Sequence, residues 1–276
     1  MVQAVRLISF SIDDGPARAG ICDGELVRDT GLSMRELLAC GARTVRPVAE
    51  HPRSGIRPLP AVPDPGKIMC IGRNYREHAA EQGAEAPEAP LVFAKYSSAL
   101  ITEGDAIRLP AISDSVDWEA ELVAVVGRRC KDVPESDAWG VIAAYTVMND
   151  VSARDLQRGD GQWTRAKSLD TFAPLSPELV TVDEIADPHA LAIRCLVNDQ
   201  LMQDSNTGAM IHRIPRLVAH LSAAFTLEPG DLIATGTPSG VGAFRDPPVF
   251  LQPGDVVRCE VEAVGHVENP VVAGSP

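Results

Sequence analysis

Short apolar runs, cut at close intervals by Gly, Pro, Asn and Asp, dominate this chain and predict strands far more often than helices. Val5–Phe10 and Ala19–Cys22 read as strands joined through the turn-forming Asp13-Asp14-Gly15-Pro16. A short helix follows from Met34 to Cys40, with Ser33 as its N-cap and Gly41 just past its end. Pro58-Leu59-Pro60-Ala61-Val62-Pro63-Asp64-Pro65-Gly66 resists helix and central strand alike and reads as a linker. Residues 1–62 are therefore expected to form a small N-terminal α/β domain, and 63–276 the main domain.

In the main domain, Lys67–Gly72 reads as a buried strand and Arg73–Gly83 as a short helix, with Asn74 as N-cap and Gly83 as terminator. The polar, proline-broken stretch 84–90 suits a mobile loop, and Leu91–Lys95 is an apolar run closed by Lys95. Leu122–Val126 is apolar at both parities, which predicts a strand covered on both faces. Trp139–Asp150 is a further apolar stretch, and it ends in an acid. Beyond a polar, partly helical segment from Val151 to Trp163, strands resume at Ala192–Val197 and turn at Asn198-Asp199. Asp204–Gly208 suits a ligand loop as well as an ordinary turn. Pro215–Phe225 carries Leu217, Val218, Leu221 and Phe225 at helical spacing. Gly230–Gly242 is a strand running into a glycine-rich loop whose N–H groups can receive an anion; it lacks the lysine of a nucleotide-binding P-loop. The sum is an α+β, predominantly β chain.

Composition narrows the function. At 276 residues the chain can bury a sizeable core. A formal charge of −13 argues against a nucleic acid partner and against any broad anion-binding surface, so an anionic substrate must be held locally. No window approaches the ~20 apolar residues of a membrane span, and the first residues show no basic region leading into a long apolar core. A soluble, cytoplasmic protein without membrane partners is expected. The six cysteines are scattered without a CxxC pair, which points neither to a disulfide framework nor to zinc.

The candidate chemistry centres on Asp117-Trp118-Glu119-Ala120-Glu121, directly ahead of the apolar run. Glu119 and Glu121 are two apart and should face the same way on a strand, toward protein interior, where a carboxylate needs a cation. Should the stretch ending at Asp150 lie beside this strand, the three carboxylates make an oxygen-only set that selects Mg²⁺ or Mn²⁺, with Ca²⁺ also admitted. His78 and Glu81 share a helix face. Lys167 stands among small residues ahead of Pro174.

Six segments taken together resemble the fumarylacetoacetate hydrolase family: Gly72-Arg73-Asn74-Tyr75-x-x-His78-x-x-Glu81, Phe93-x-Lys95, Asp117-Trp118-Glu119-x-Glu121-Leu122, Asn149-Asp150-Val151-Ser152-x-Arg154-Asp155, Trp163-Thr164-x-x-Lys167-Ser168 and Thr235–Gly242. The resemblance covers about residues 65 to 270. It implies a mixed β-roll or sandwich catalytic domain with a small N-terminal domain, a homodimer, a bound Mg²⁺ or Mn²⁺, and a short 2-oxo or 2,4-dioxo acid as substrate. By the same resemblance Glu119, Glu121 and Asp150 are the metal ligands, and His78 and Glu81 a catalytic dyad on a lid helix. Lys167 faces the substrate as the third catalytic residue, and Arg154, Gln157 and Thr237 bind the substrate's oxygens. Arg73, Tyr75 and Lys95 stand in the matching segments and are placed with the substrate-binding set. The stretch Gly159–Phe172 looks most like the subgroup hydrolysing diketo-deoxy sugar acids such as 2,4-diketo-3-deoxy-L-fuconate. The expected reaction is therefore hydrolysis of a carbon–carbon bond in an acylpyruvate-like acid through a metal-stabilised enolate. Oxaloacetate decarboxylation and 2-oxo acid tautomerisation are alternatives on the same site, and a non-catalytic metal-binding module is the alternative of another class.

Overall fold

The computed structural model describes residues 5–83 and 85–274; Ala84, within the loop expected to be mobile, lies outside the described residues. The fold is α+β and predominantly β, organised in two main sheets. The larger, eleven-stranded sheet runs in the order Ala49–Pro52, Leu26–Asp29, Arg18–Asp23, Arg6–Ser11, Glu178–Thr181, Ile142–Asn149, Ala120–Val126, Leu232–Ala234, Ile68–Gly72 and Leu91–Lys95, with Arg57–Pro58 added beside Arg6–Ser11. The second sheet has five strands, in the order Gln200–Asn206, Ala192–Val197, Val256–Val261, Gly265–Ala273 and Ile107–Leu109.

Ala120–Val126 lies in the interior of the larger sheet, and every one of its residues is buried. Its two faces meet different partners, as the strand period requires. Ala120, Leu122, Ala124 and Val126 pack in one cluster with Ile193, Cys195 and Cys259 of the second sheet. Val123 and Val125 pack in another with Leu7, Leu37, Ile68 and Leu232. The two-sided burial read from the apolar run is thus a strand between two cores.

The first residues extend the same sheet, because Arg6–Ser11 pairs antiparallel with Glu178–Thr181. The proline-rich stretch is packed: Ala61 and Val62 are buried, and the N–H groups of Leu59 and Ala61 donate to Ser9 and Ser176 carbonyls. Helix Met34–Cys40 starts where expected, with Ser33 and Glu36 capping one another's backbone.

Several boundaries differ from the sequence reading. The helix expected over Arg73–Gly83 is Arg76–Glu81, and Asn74 does not cap it. Its amide is buried and donates to the Thr235 (2.7 Å) and His212 (3.0 Å) carbonyls while accepting from His212 N (2.8 Å), which joins three segments. Ahead of Ile142–Asn149, the residues Glu135–Gly140 form a 3-10 helix instead of more strand. Asp204–Asn206 completes the strand Gln200–Asn206, so only Thr207 and Gly208 of the expected loop leave the sheet. The late helix is Ile214–Ala224, burying Leu217, Val218 and Leu221 while Phe225 is left exposed at its end. Among the described residues no helix is long and apolar enough to cross a membrane.

Candidate active site

Register brings the carboxylates together. Ala120–Val126 pairs antiparallel with Ile142–Asn149, Ala120 opposite Asn149, so Asp150 emerges beside Glu119. Asp150 N donates to Glu119 O (2.9 Å), and Glu119 N donates to Asn149 Oδ1 (3.0 Å). The strand is interrupted at Trp118 and Glu119, between Val116–Asp117 and Ala120–Val126. One carboxylate oxygen from each of Glu119, Glu121 and Asp150 lies within 4.8 Å of the others, and all three residues are buried.

Three buried cations surround them. Lys167 Nζ is 2.7 Å from Glu119 Oε2 and 2.9 Å from Asp150 Oδ2. Lys95 Nζ is 2.6 Å from Asp150 Oδ1 and also donates to the Val151 and Lys167 carbonyls. Arg154 pairs with Asp117 and Glu119, each at 2.7 Å. Glu121 forms no ion pair among the described residues; it accepts from Gly236 N at 2.8 Å.

This asymmetry divides the two glutamates. Burial pushes Glu119 up, but the Lys167 and Arg154 charges outweigh it and bring its carboxyl down to about 2. Burial also pushes Glu121 up, and there the Asp150 and Glu119 charges add to it, so its carboxyl sits well above the usual range. Lys167 is held above its ordinary value by Asp150 and Glu119 against the opposing effect of burial. Beside this cluster the Tyr75 hydroxyl is buried without a hydrogen-bond partner among the described residues, and burial, then the Glu121 charge, push its pKa up and keep it protonated. Three convergent oxygen donors, an under-compensated carboxylate and an orphaned hydroxyl fit a hard divalent cation.

The glycine-rich loop does present amides to anions, and the anions are carboxylates of the protein itself. Gly236 N donates to Glu121, Gly240 N to Glu81 Oε2 (3.0 Å) and Ala243 N to Asp117 Oδ2 (2.8 Å). At Gly236 the conformation admits only glycine: φ is +97°, and a Cβ would sit 2.9 Å from the Ile71 carbonyl oxygen.

Helix Arg76–Glu81 borders the site and carries a chain of hydrogen bonds. His78 Nδ1 is 2.6 Å from Glu81 Oε1, and His78 Nε2 is 2.6 Å from Gln82 Nε2. Arg73 Nε donates to Gln82 Oε1 at 3.0 Å, which orients the Gln82 amide so that its NH₂ faces His78. The pattern assigns a neutral imidazole: Nδ1–H donates to Glu81, and Nε2 is the acceptor and the basic atom.

Below the helix lies a polar cavity lined by Arg73, His78, Gln82, Glu119, Arg154, Gln157, Lys167 and Thr237 with Ile71, Gly72, Phe93 and Trp163. Of the residues picked from sequence, Arg73, His78, Glu119, Arg154, Gln157, Lys167 and Thr237 therefore face one space. Glu81, Glu121 and Asp150 stand one contact behind it. Lys95 and Tyr75, placed with the substrate-binding set, do not line the cavity: Lys95 is spent on Asp150, and Tyr75 is in the core. Sequence reasoning missed Gln82, although its four-residue spacing from His78 was visible. It also missed Gln203, which accepts from Ala120 N (2.9 Å) and donates to Thr237 Oγ1 (2.9 Å), on a strand that carries no local sign of the site.

His78 and the buried Lys167 thus line one cavity beside the cluster of three carboxylates. The chain belongs to the fumarylacetoacetate hydrolase family: the family model "Fumarylacetoacetate (FAA) hydrolase C-terminal" matches residues 67–272. It is 44% identical over 289 aligned positions to the oxaloacetate tautomerase fahd2, mitochondrial, of Xenopus laevis, covering 98% of this chain and 91% of that protein. Among solved structures it is similar to 2-hydroxyhepta-2,4-diene-1,7-dioate isomerase from Mycobacterium marinum, with 37% identity, a TM-score of 0.83, and 99% and 100% of the two chains covered. It is likewise similar to 5-carboxymethyl-2-hydroxymuconate delta-isomerase from Mycobacterium smegmatis, with 40% identity, a TM-score of 0.83, and 97% and 99% covered.

Proposed function

We propose that this chain is a divalent-metal-dependent tautomerase of a small 2-oxo acid, with oxaloacetate as the first substrate to test. The observation that carries the reading is the basic Nε2 of His78 at the wall of a polar cavity that Lys167 also lines. Tautomerisation needs one group to take a proton from the carbon next to the 2-oxo group and a cationic environment for the oxygen that gains negative charge. Nε2 of His78 accepts the C3 proton. Glu81, fixed by Gly240 N, holds the imidazole in that tautomer and stabilises it when charged. Lys167 donates toward the enolate oxygen, and its pairing with Glu119 and Asp150 keeps it charged at neutral pH. Glu119, Glu121 and Asp150 would hold Mg²⁺ or Mn²⁺, which when bound supplies Lewis-acid polarisation of the substrate's 2-oxo and carboxylate oxygens. The similarity to a tautomerase and two isomerases supports the reading.

Hydrolysis of an acylpyruvate is the second reading, favoured by the same His78–Glu81 pair, which can equally deprotonate a water. Opening of the 75–90 segment to admit substrate, a homodimeric state and a cytoplasmic location belong to the proposal as well. The test assays wild type and His78→Ala, with Mg²⁺ or Mn²⁺, for enol–keto interconversion of oxaloacetate and for cleavage of an acylpyruvate. Wild type is expected to interconvert oxaloacetate, and His78→Ala to lower kcat by about 10²–10⁴-fold. Cleavage of the acylpyruvate without interconversion of oxaloacetate makes the protein a hydrolase. Bound metal with no turnover of either makes it a binding module.

A further inference from the structure

We propose that Arg73 is a receptor for a second substrate carboxylate and that its hydrogen bond to Gln82 is a latch on His78, which makes the site selective for 2-oxo dicarboxylic acids. The inference rests on the 2-oxo acid reading and adds the substrate class. It starts from a difference among the three cations lining the cavity. Arg154 is taken by Asp117 and Glu119, and Lys167 by Glu119 and Asp150. Arg73 has no carboxylate partner among the described residues; its guanidinium lies 5.7 Å over the Trp163 ring, with Nε bonded to the neutral Gln82.

The position is built for this placement. Arg73 has φ of +56°, a left-handed conformation unusual for a long side chain. The preceding Gly72 has no Cβ, and one there would meet Trp163 Cζ3 at 2.5 Å, so the ring can lie against the backbone and support the guanidinium. Gln82 spans the gap. Its Oε1 accepts from Arg73, and its NH₂ donates to the same His78 nitrogen that must take the substrate's proton. With Gln82 in place that lone pair is occupied.

A carboxylate is a far stronger partner for guanidinium than a neutral amide, and it can engage two N–H groups at once. A dicarboxylate whose first carboxylate lies toward Lys167 and the acidic cluster presents its second toward Arg73. Arg73 then leaves Gln82, the amide loses its orientation, and Nε2 is freed when the far end of the substrate is seated. A monocarboxylate provides no such release.

The experiment compares oxaloacetate with 2-oxobutanoate, following enol absorbance for the first and deuterium exchange at C3 for the second, in wild type, Arg73→Met, Arg73→Lys and Gln82→Met. Arg73→Met should lower kcat/KM on oxaloacetate by roughly 10–100-fold, mostly through KM, and raise it a few-fold on 2-oxobutanoate because the latch is gone. Arg73→Lys should restore part of the oxaloacetate KM, and Gln82→Met should raise activity on 2-oxobutanoate while leaving the oxaloacetate KM near wild type. Calorimetric binding of malate and 2-hydroxybutanoate in the presence of Mg²⁺ gives a readout independent of turnover. Wild type should prefer malate, and Arg73→Met should abolish that preference. Loss of the same factor on both oxo acids, or a malate preference that survives in Arg73→Met, overturns the proposal. A wild type that prefers malate through Arg73 but turns over neither oxo acid supports the receptor and refutes the tautomerase reading.

Discussion

Glu119, directly ahead of the strand Ala120–Val126, and Glu121 within it are two positions apart, yet their surroundings pull their acidities in opposite directions. Glu119 has Lys167 and Arg154 against it; Glu121 accepts from the Gly236 amide without an ion pair among the described residues, and burial and the like charges of Asp150 and Glu119 outweigh the more distant Lys167. The protein without metal carries an electrostatic cost at Glu121 that a divalent cation relieves. Glu121→Gln should therefore raise the melting temperature in EDTA, since an amide still accepts from Gly236 and adds no charge to the cluster. The same variant should lose most of the melting-temperature increase that Mg²⁺ or Mn²⁺ gives wild type, because one anionic ligand is gone. Differential scanning calorimetry with and without metal measures both, and an undiminished metal shift in Glu121→Gln counts against the three-carboxylate centre. The acids themselves were legible from the Glu-x-Glu spacing and the acid after an apolar run. Their unequal ionisation was not, because it depends on which cations arrive from Lys167 and Arg154.

The helices are short, and one of them has its first turn secured by a side chain from elsewhere in the sequence. Helix Ile214–Ala224 starts without a side-chain cap of its own, and Ile214 N instead donates to His189 Nε2 at 3.1 Å. His189 lies below the usual imidazole range, first through burial and then through the Arg213 charge, so the folded chain keeps it neutral as an acceptor. In the unfolded chain it takes up a proton near its ordinary value of about 6.5. Below that pH the unfolded state binds more protons, and stability falls as pH falls. The urea midpoint should drop between about pH 7.5 and about pH 5.5, and drop less in His189→Gln, which retains an acceptor without the titration. A midpoint with the same pH slope in both proteins refutes this account. Nothing in the sequence pairs His189 with a helix 25 residues on; Ser33 and Glu36, by contrast, cap the first helix within one turn and were read directly.

Across the whole molecule, the N-terminal residues and the catalytic strands share a core. Leu7, Leu37, Ala61 and Val62 pack in one cluster with Ile68, Cys70, Val123 and Leu232, and Arg6–Ser11 continues the sheet that carries Glu121. Removing residues 1–62 strips one face from Val123 and Val125 and exposes the edge of Glu178–Thr181. A 63–276 fragment should melt well below the full chain or aggregate, as followed by circular dichroism and light scattering. A fragment with the full chain's melting temperature establishes the division at residue 62 as one between independent folding units.

Local pattern alone determined several strands, among them Arg6–Ser11, Ile68–Gly72, Ala120–Val126 and Ala192–Val197, the Ser33 cap and the predominance of β structure, because each follows from periodicity or turn chemistry within a few neighbours. The six segments also determined the family. Tertiary structure decided how those residues are used. Antiparallel register set Asp150 beside Glu119, and the turn at Gly236 and Gly240 aimed backbone amides at Glu121 and Glu81. It moved Lys95 from the substrate's side to the back of Asp150 and brought Arg73 and Gln82 to His78. The physical reason is that a side chain's chemistry is intrinsic to its type, whereas its charge state, partners and access to a ligand depend on groups far away in sequence, and only folding brings those within a few ångströms.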